Sequence, residues 1–141
     1  MLPALSIRQP WAGAILYLGK NIENRNWTHP YRGRFYIHAG LKHDEKWRRA
    51  KNHKGRIILG HDSKSTLDWR GVWSDTGGIV GSVEFHGIVE WSLRNPWFTG
   101  RYGFLLRKPK AYDHIIKCKG RLGFFDPPKH LAKELMRAEQ S

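Results

Sequence analysis

The sequence predicts an α+β fold arranged around a small β-barrel, formed as a single domain over residues 1–141. Three observations predict it. Strand-like runs are short and irregularly spaced, with only two or three helical patterns among them. Strands and helices do not alternate and there is no Gly-rich phosphate loop, which argues against a doubly wound sheet. No internal repeat or low-complexity linker divides the chain, and 141 residues with 40% hydrophobic content suffice for one core.

The elements follow in order. Leu2–Ile7 reads as a strand. Pro10 opens a helix, where its missing N–H costs nothing. Trp11, Ala14, Ile15 and Leu18 form its buried stripe, and Gly19 is a natural residue to end it. Ile22–Trp27 reads as a strand, Thr28–Gly33 as a turn and Arg34–Ala39 as the next strand. Asp44–Lys51 reads as a basic helix and Gly60–Gly78 as a long loop. Ile79–Trp91 forms a long strand with kinks at Gly81 and Gly87. Gly103–Leu106 and Ile115–Lys117 are shorter strands. Asp126 caps a last helix, Pro128–Ala138, which buries Leu131 and Leu135.

Charge and aromatic content point to a partner. There are 25 Lys and Arg against 12 Asp and Glu, a net charge of +13. Such an excess repels itself in the folded state, and phosphate backbones are its commonest counterpart because binding releases counterions. An anionic membrane is the rival, but no stretch approaches the roughly 20 apolar residues that a bilayer span needs. Met1–Pro10 has no apolar signal region, and Cys118 is the single cysteine, so a reducing, cytoplasmic setting is expected. Several of the seven Trp adjoin cations: Arg8 near Trp11, Arg25 near Trp27, Trp47 before Arg48, Trp69 before Arg70. That pairing suits base stacking with phosphate contact. At least four of the Trp are expected in the core.

Glu23 is the single acidic residue between Met1 and His43. A carboxylate among cations is either salt-bridged, to Arg25 or Arg32, or a working group. Alternation along a strand puts Glu23, Arg25 and Trp27 on one face, with Lys20 leaning over it from the helix end. On the next strand Phe35, Ile37 and Ala39 face the core, leaving Tyr36 and His38 opposite; Tyr31 and Arg32 lie on the turn between. The eight His form no metal-binding motif, so no metal ligand set and no cofactor are expected. There is no GxSxG element for Ser–His–Asp catalysis. Cys118 between Lys117 and Lys119 reads as a small buried residue.

These residues resemble the signature of the ASCH family, a branch of the PUA-like superfamily. The matching pieces are Ala4-Leu5-Ser6-Ile7-Arg8-Gln9-Pro10-Trp11-Ala12, Gly19-Lys20-Asn21-Ile22-Glu23-Asn24-Arg25-Asn26-Trp27, Tyr31-Arg32-Gly33 and Ile37-His38-Ala39. Gly78-Ile79-Val80-Gly81 and Lys119-Gly120-Arg121-Leu122-Gly123-Phe124 are similar to later family stretches. The resemblance implies a PUA-like fold, a small, partly closed β-barrel with flanking helices and a cleft. It implies that Lys20, Glu23 and Arg25 line the cleft, with Arg8, Gln9 and Trp11 at its wall. It also implies RNA or other nucleic-acid binding. Some relatives resemble ribonucleases; others are amidohydrolases on acylated cytidine that use a Lys, a hydroxyl and a separate carboxylate. Here the position matching the hydroxyl is Glu23, and Glu84 is the candidate for the separate carboxylate.

Three functions follow as expectations. The first is an RNA- or DNA-binding module, with no membrane partner. Arg8, Gln9, Trp11, Lys20, Glu23, Arg25, Trp27, Tyr31 and Arg32 form its ligand site, and basic residues of Lys42–Arg56 and Arg101–Arg121 hold phosphates. The second is a hydrolase in the same cleft, a ribonuclease or a nucleoside amidohydrolase, with Lys20 as base, Glu23 as acid, Arg25 or Arg32 stabilising charge and His38 as a spare acid–base group. The third is a protein-interaction module that meets an acidic partner.

Overall fold

The computed structural model describes residues 1–45, 75–91 and 94–141. The chain runs β1 (Ala4–Gln9), α1 (Trp11–Tyr17), β2 (Ile22–Arg25), β3 (Gly33–His43), β4 (Gly78–Val89), β5 (Tyr102–Lys117) and β6 (Phe124–Phe125). A 3₁₀ turn (Lys129–Leu131) and α2 (Ala132–Gln140) follow. The strands form one mixed sheet in the order β2-β5-β4-β3-β1-β6. The β1–β3 pair is parallel and the other pairs are antiparallel.

The α+β class is as predicted, but the ladder does not close into a barrel among the described residues. Its edge strands, β2 and β6, have four and two residues and no mutual pairing. Side chains bring the two ends together instead. Arg25 at the end of β2 donates from Nη2 to the Ser6 carbonyl of β1 at 2.8 Å. Just beyond β2, the Trp27 ring meets Phe124 of β6 edge-on at 6.2 Å and Phe104 of β5 at 5.3 Å.

Alternation sorts the core as the sequence indicates. Phe35, Ile37 and Ala39 join Leu5, Ile7, Phe85 and Phe104 under α1 on one side of the sheet. Tyr36 faces the other side, where the 3₁₀ turn buries Leu131 and α2 buries Leu135 beside Ile79 and Ile116. That second side is therefore also covered. Ser82, fully buried there, donates to Glu139 of α2, as does the Tyr112 hydroxyl at 2.5 Å.

Several boundaries move. β3 extends to His43 because it pairs with β1 as far as Gln9. The expected kinks at Gly81 and Gly87 coincide with register shifts of β4 against β5. A Cβ on Gly81 would run into the backbone carbonyl of Lys110. Gly103–Leu106 and Ile115–Lys117 are two ends of the single 16-residue β5. Lys108-Pro109 splits them in sequence, yet these residues sit in a bulge opposite β4, with Lys108 at φ 54°, where Pro forfeits no ladder bond. The last helix starts later than expected and has no side-chain cap, so Asp126 does not cap it. Of the described Trp, Trp11 and Trp27 pack part-buried against the core, Trp97 is half-buried and Trp91 exposed. Two of the four described Trp therefore pack against the core, and Trp47, Trp69 and Trp73 lie outside the described residues. Most of the predicted helix at Asp44–Lys51 and most of the Gly60–Gly78 loop also lie outside them. No described helix is long and apolar enough to cross a membrane.

Candidate functional site

The site is assembled at the end of α1. Gly19 takes φ +73°, the left-handed turn that glycine adopts without penalty. The turn brings the Lys20 N–H back onto the Ala14 carbonyl at 3.1 Å and sends its side chain inward. Lys20 is 3% exposed, and its ammonium donates to the Ile22 carbonyl and, at 3.3 Å, to Glu23 Oε1. Glu23 and Arg25 share one face of β2, as alternation requires, and Arg25 Nη2 donates to Glu23 Oε2 at 2.9 Å. One carboxylate thus ties two cations together.

The electrostatics follow from burial. Burial by itself would raise the Glu23 pKa, but the charges of Lys20 and Arg25 outweigh it, and the carboxyl is held below its ordinary range. Burial lowers the Lys20 pKa against the opposing pull of Glu23, so its proton is easier to lose than that of a solvated lysine. Its two acceptors still hold that ammonium in place.

A cleft of about 910 Å³ opens over this floor. Arg8, Trp11, Lys20, Glu23, Arg25 and His38 line it, so six of the predicted site residues come together. The Trp11 indole is fixed by its Nε1–H, which donates to Asp44 Oδ2 at 2.8 Å, and Lys20 Nζ lies 5.7 Å from its ring centre. Arg8, Lys42, Lys119 and Arg121 stand exposed around the rim and make no ion pair among the described residues. Leu41 and Leu122, 78% and 100% exposed, supply apolar surface there.

The other predicted residues lie elsewhere. Gln9 is buried and spends its side chain on backbone: Oε1 accepts from the Gly13 N–H at the start of α1, and Nε2 donates to the Asp75 carbonyl. Trp27 stacks under Arg25 and among the Phe rings. The Tyr31 hydroxyl donates to the Arg34 carbonyl at 2.5 Å. Arg32 holds the carbonyls of His29 and Tyr31 and lies over the Phe85 ring. Glu84 pairs with Arg107 at 2.8 Å and is not part of the cleft lining.

Sequence reading missed Ser6 and Asp44 as site residues, whereas the rim cations Lys42, Lys119 and Arg121 fall within the basic stretches expected to hold phosphates. Ser6 carried a signal, since it alternates with Leu5 and Ile7 and shares a face with Arg8. Asp44 had none; it reaches Trp11 across 33 positions. Among the described residues no group of three or more His, Cys, Asp or Glu could hold a metal ion.

No protein-family model matches the chain, and no curated protein matches it. A solved structure does: a crystal structure of a mutant of ZmASCH from Zymomonas mobilis. The match covers 96% of each chain with a TM-score of 0.55 and 14% identity. The chain has an ASCH-like fold. At that identity the likeness concerns the course of the backbone. In this ASCH-like fold the SIRQPW and GKNIENR segments form β1 with the start of α1, and the α1–β2 junction; together they build the cleft floor and wall.

Proposed function

We propose that this chain is a nucleic-acid-binding domain that takes an exposed base or nucleotide of RNA into its cleft. The observation that carries the reading is the make-up of that one cavity. Its floor offers buried donors and an acceptor in Lys20, Glu23 and Arg25, its wall an indole, and its rim four exposed cations that make no ion pair among the described residues. A base needs the first two, because single-stranded RNA is read by stacking and by hydrogen bonds to splayed-out base edges. Phosphates need the third. The volume of about 910 Å³ falls in the range of small-ligand sites. Each Glu23 oxygen spends one lone pair on Lys20 or Arg25, leaving another to accept from an exocyclic amine.

The test is fluorescence anisotropy with single-stranded RNA, single-stranded DNA and duplex DNA over a salt series. Binding that weakens with log–log slope about −0.7 per phosphate neutralised supports the reading. Affinity that stays flat with salt would sink it. Absence of binding above background at physiological salt, with capture of an acidic protein, favours the interaction-module alternative.

A further inference from the structure

A second polar arrangement lines the same cleft. Ser6 of β1 and His38 of β3 are register partners in the parallel ladder. Ser6 Oγ lies 3.0 Å from His38 Nδ1. The other ring nitrogen, Nε2, lies 2.6 Å from the Cys118 carbonyl oxygen. A carbonyl can only accept, so Nε2 carries the proton, and the lone pair of Nδ1 faces the Ser6 hydroxyl. Ser6 is therefore the donor in its bond to His38. Burial, opposed by the bond to Cys118, lowers the His38 pKa and keeps the ring neutral near pH 7. Ser6 is part-exposed at the cleft. Arg25 places a guanidinium on the Ser6 carbonyl at 2.8 Å.

The pair is closely fitted. A Cβ on Gly120 would come within 2.7 Å of both Ser6 Oγ and His38 Cε1, so the loop after β5 can lie over them only with glycine there. A hydroxyl bonded to a neutral imidazole, itself oriented by a third group, is the arrangement that activates a serine nucleophile. Here the two ring nitrogens exchange the roles they take in serine proteases, and a backbone carbonyl replaces the carboxylate.

We propose that Ser6 is a nucleophile and His38 its general base in the hydrolysis of carboxylic esters bound in this cleft. Ser6 Oγ attacks the ester carbonyl carbon while its proton passes to His38 Nδ1. The tetrahedral intermediate collapses, the C–O bond to the alcohol breaks, and Nδ1–H returns the proton to the leaving alkoxide. An acyl-Ser6 ester remains. Water attacks it, losing a proton to Nδ1, and collapse releases the carboxylic acid and restores Ser6 with that proton. The sum is ester plus water to acid plus alcohol, with no oxidant or metal required. During each transfer the imidazolium is held by its charge-assisted bond to Cys118. The lining sets the substrate class: a small acyl group against Leu41 and Leu122, on an alcohol that carries phosphate toward Arg8, Lys119 and Arg121.

The test uses the chain alone, with a fluorophosphonate probe and p-nitrophenyl acetate at neutral pH. A phosphonyl adduct on Ser6, located by peptide mass spectrometry, is expected. Ser6→Ala should lose both adduct and turnover while keeping its melting temperature within a few degrees. His38→Gln should slow labelling by about 10²–10⁴-fold, the usual contribution of a positioned base. Should that variant fail to fold, Ser6→Cys gives the second readout: fast alkylation by iodoacetamide near pH 7 reports a thiol deprotonated by His38. No adduct on Ser6, unchanged turnover in Ser6→Ala, or a Ser6→Cys thiol that reacts no faster than free cysteine would overturn the proposal. Labelling requires no nucleic acid, so its failure and the failure of RNA binding are read separately.

Discussion

Lys20 Nζ lies 3.3 Å from Glu23 Oε1, with side chains only 2% and 8% exposed. Glu23 also holds Arg25 at 2.9 Å, so the floor carries two cations on one carboxylate. Removing a partner from a buried ion pair leaves a charge without compensation. Lys20→Met and Glu23→Gln should each lose about 3–5 kcal/mol of stability in urea unfolding. Glu23→Gln should lose more, because it leaves Lys20 and Arg25 facing each other. The double variant should lose clearly less than the sum. Losses under about 1 kcal/mol in both single variants would show that the triad does not hold the floor together.

Gly120 tests the loop over the cleft. Gly120→Ala should cost about 1–3 kcal/mol, the usual penalty of overpacking, because neither the buried His38 ring nor the short Ser6 side chain can swing far aside. Gly40→Ala is the matched control: a Cβ there meets nothing within 4 Å. Equal thermal shifts in the two variants would contradict the close approach.

The rim cations should act through phosphate contacts. Replacing one of Arg8, Lys42, Lys119 or Arg121 by Gln should make the salt dependence of RNA binding shallower by about 0.7 for each phosphate it meets. Arg107→Gln, whose cation is paired with Glu84 away from the cleft, should leave that slope unchanged. A slope that responds equally to Arg107 and Arg121 would place the nucleic acid elsewhere.

Acid should destabilise the chain through His38. Its folded pKa is lowered from an ordinary 6.5 by burial. Between the folded and unfolded values the unfolded chain binds more protons, so stability is lost as pH falls from about 6.5 through the folded value. Around the ring, Ser6 donates to the neutral imidazole, the Cys118 carbonyl opposes burial by favouring the protonated form, and Arg25 sits on the Ser6 backbone. His114 works in the opposite sense. Its exposed ring is bonded to Asp113 and Glu134, which raise its pKa, so its contribution is complete below 6.5 and fades as pH rises through the folded value. Melting temperatures between about pH 5 and pH 8 separate the two. The acid-side fall should flatten in His38→Gln and stay unchanged in His114→Ala, which should instead remove a fall on the alkaline side of 6.5.

What the sequence determined was local. Alternation along β2 and β3 placed Glu23 with Arg25 and separated Phe35, Ile37 and Ala39 from Tyr36 and His38, because side chains alternate with period two whatever the strands pair with. Gly19 marked the left-handed turn that aims Lys20, because a positive φ is a property of the residue itself. The SIRQPW and GKNIENR segments pointed to the ASCH-like fold. Pairing was decided only in three dimensions. Lys108-Pro109 reads as a strand break, yet a bulge absorbs it inside β5. Phe124 and Phe125 are too few to announce a strand, but β1 offers them a free edge. Gln9 reads as a polar ligand residue, whereas the start of α1 and the Asp75 carbonyl consume its amide. Ser6 and His38, 32 positions apart, become neighbours only through the parallel register of β1 and β3. Contacts that far apart in sequence depend on which strands find each other, a choice made by burial of the whole core and not by any one segment.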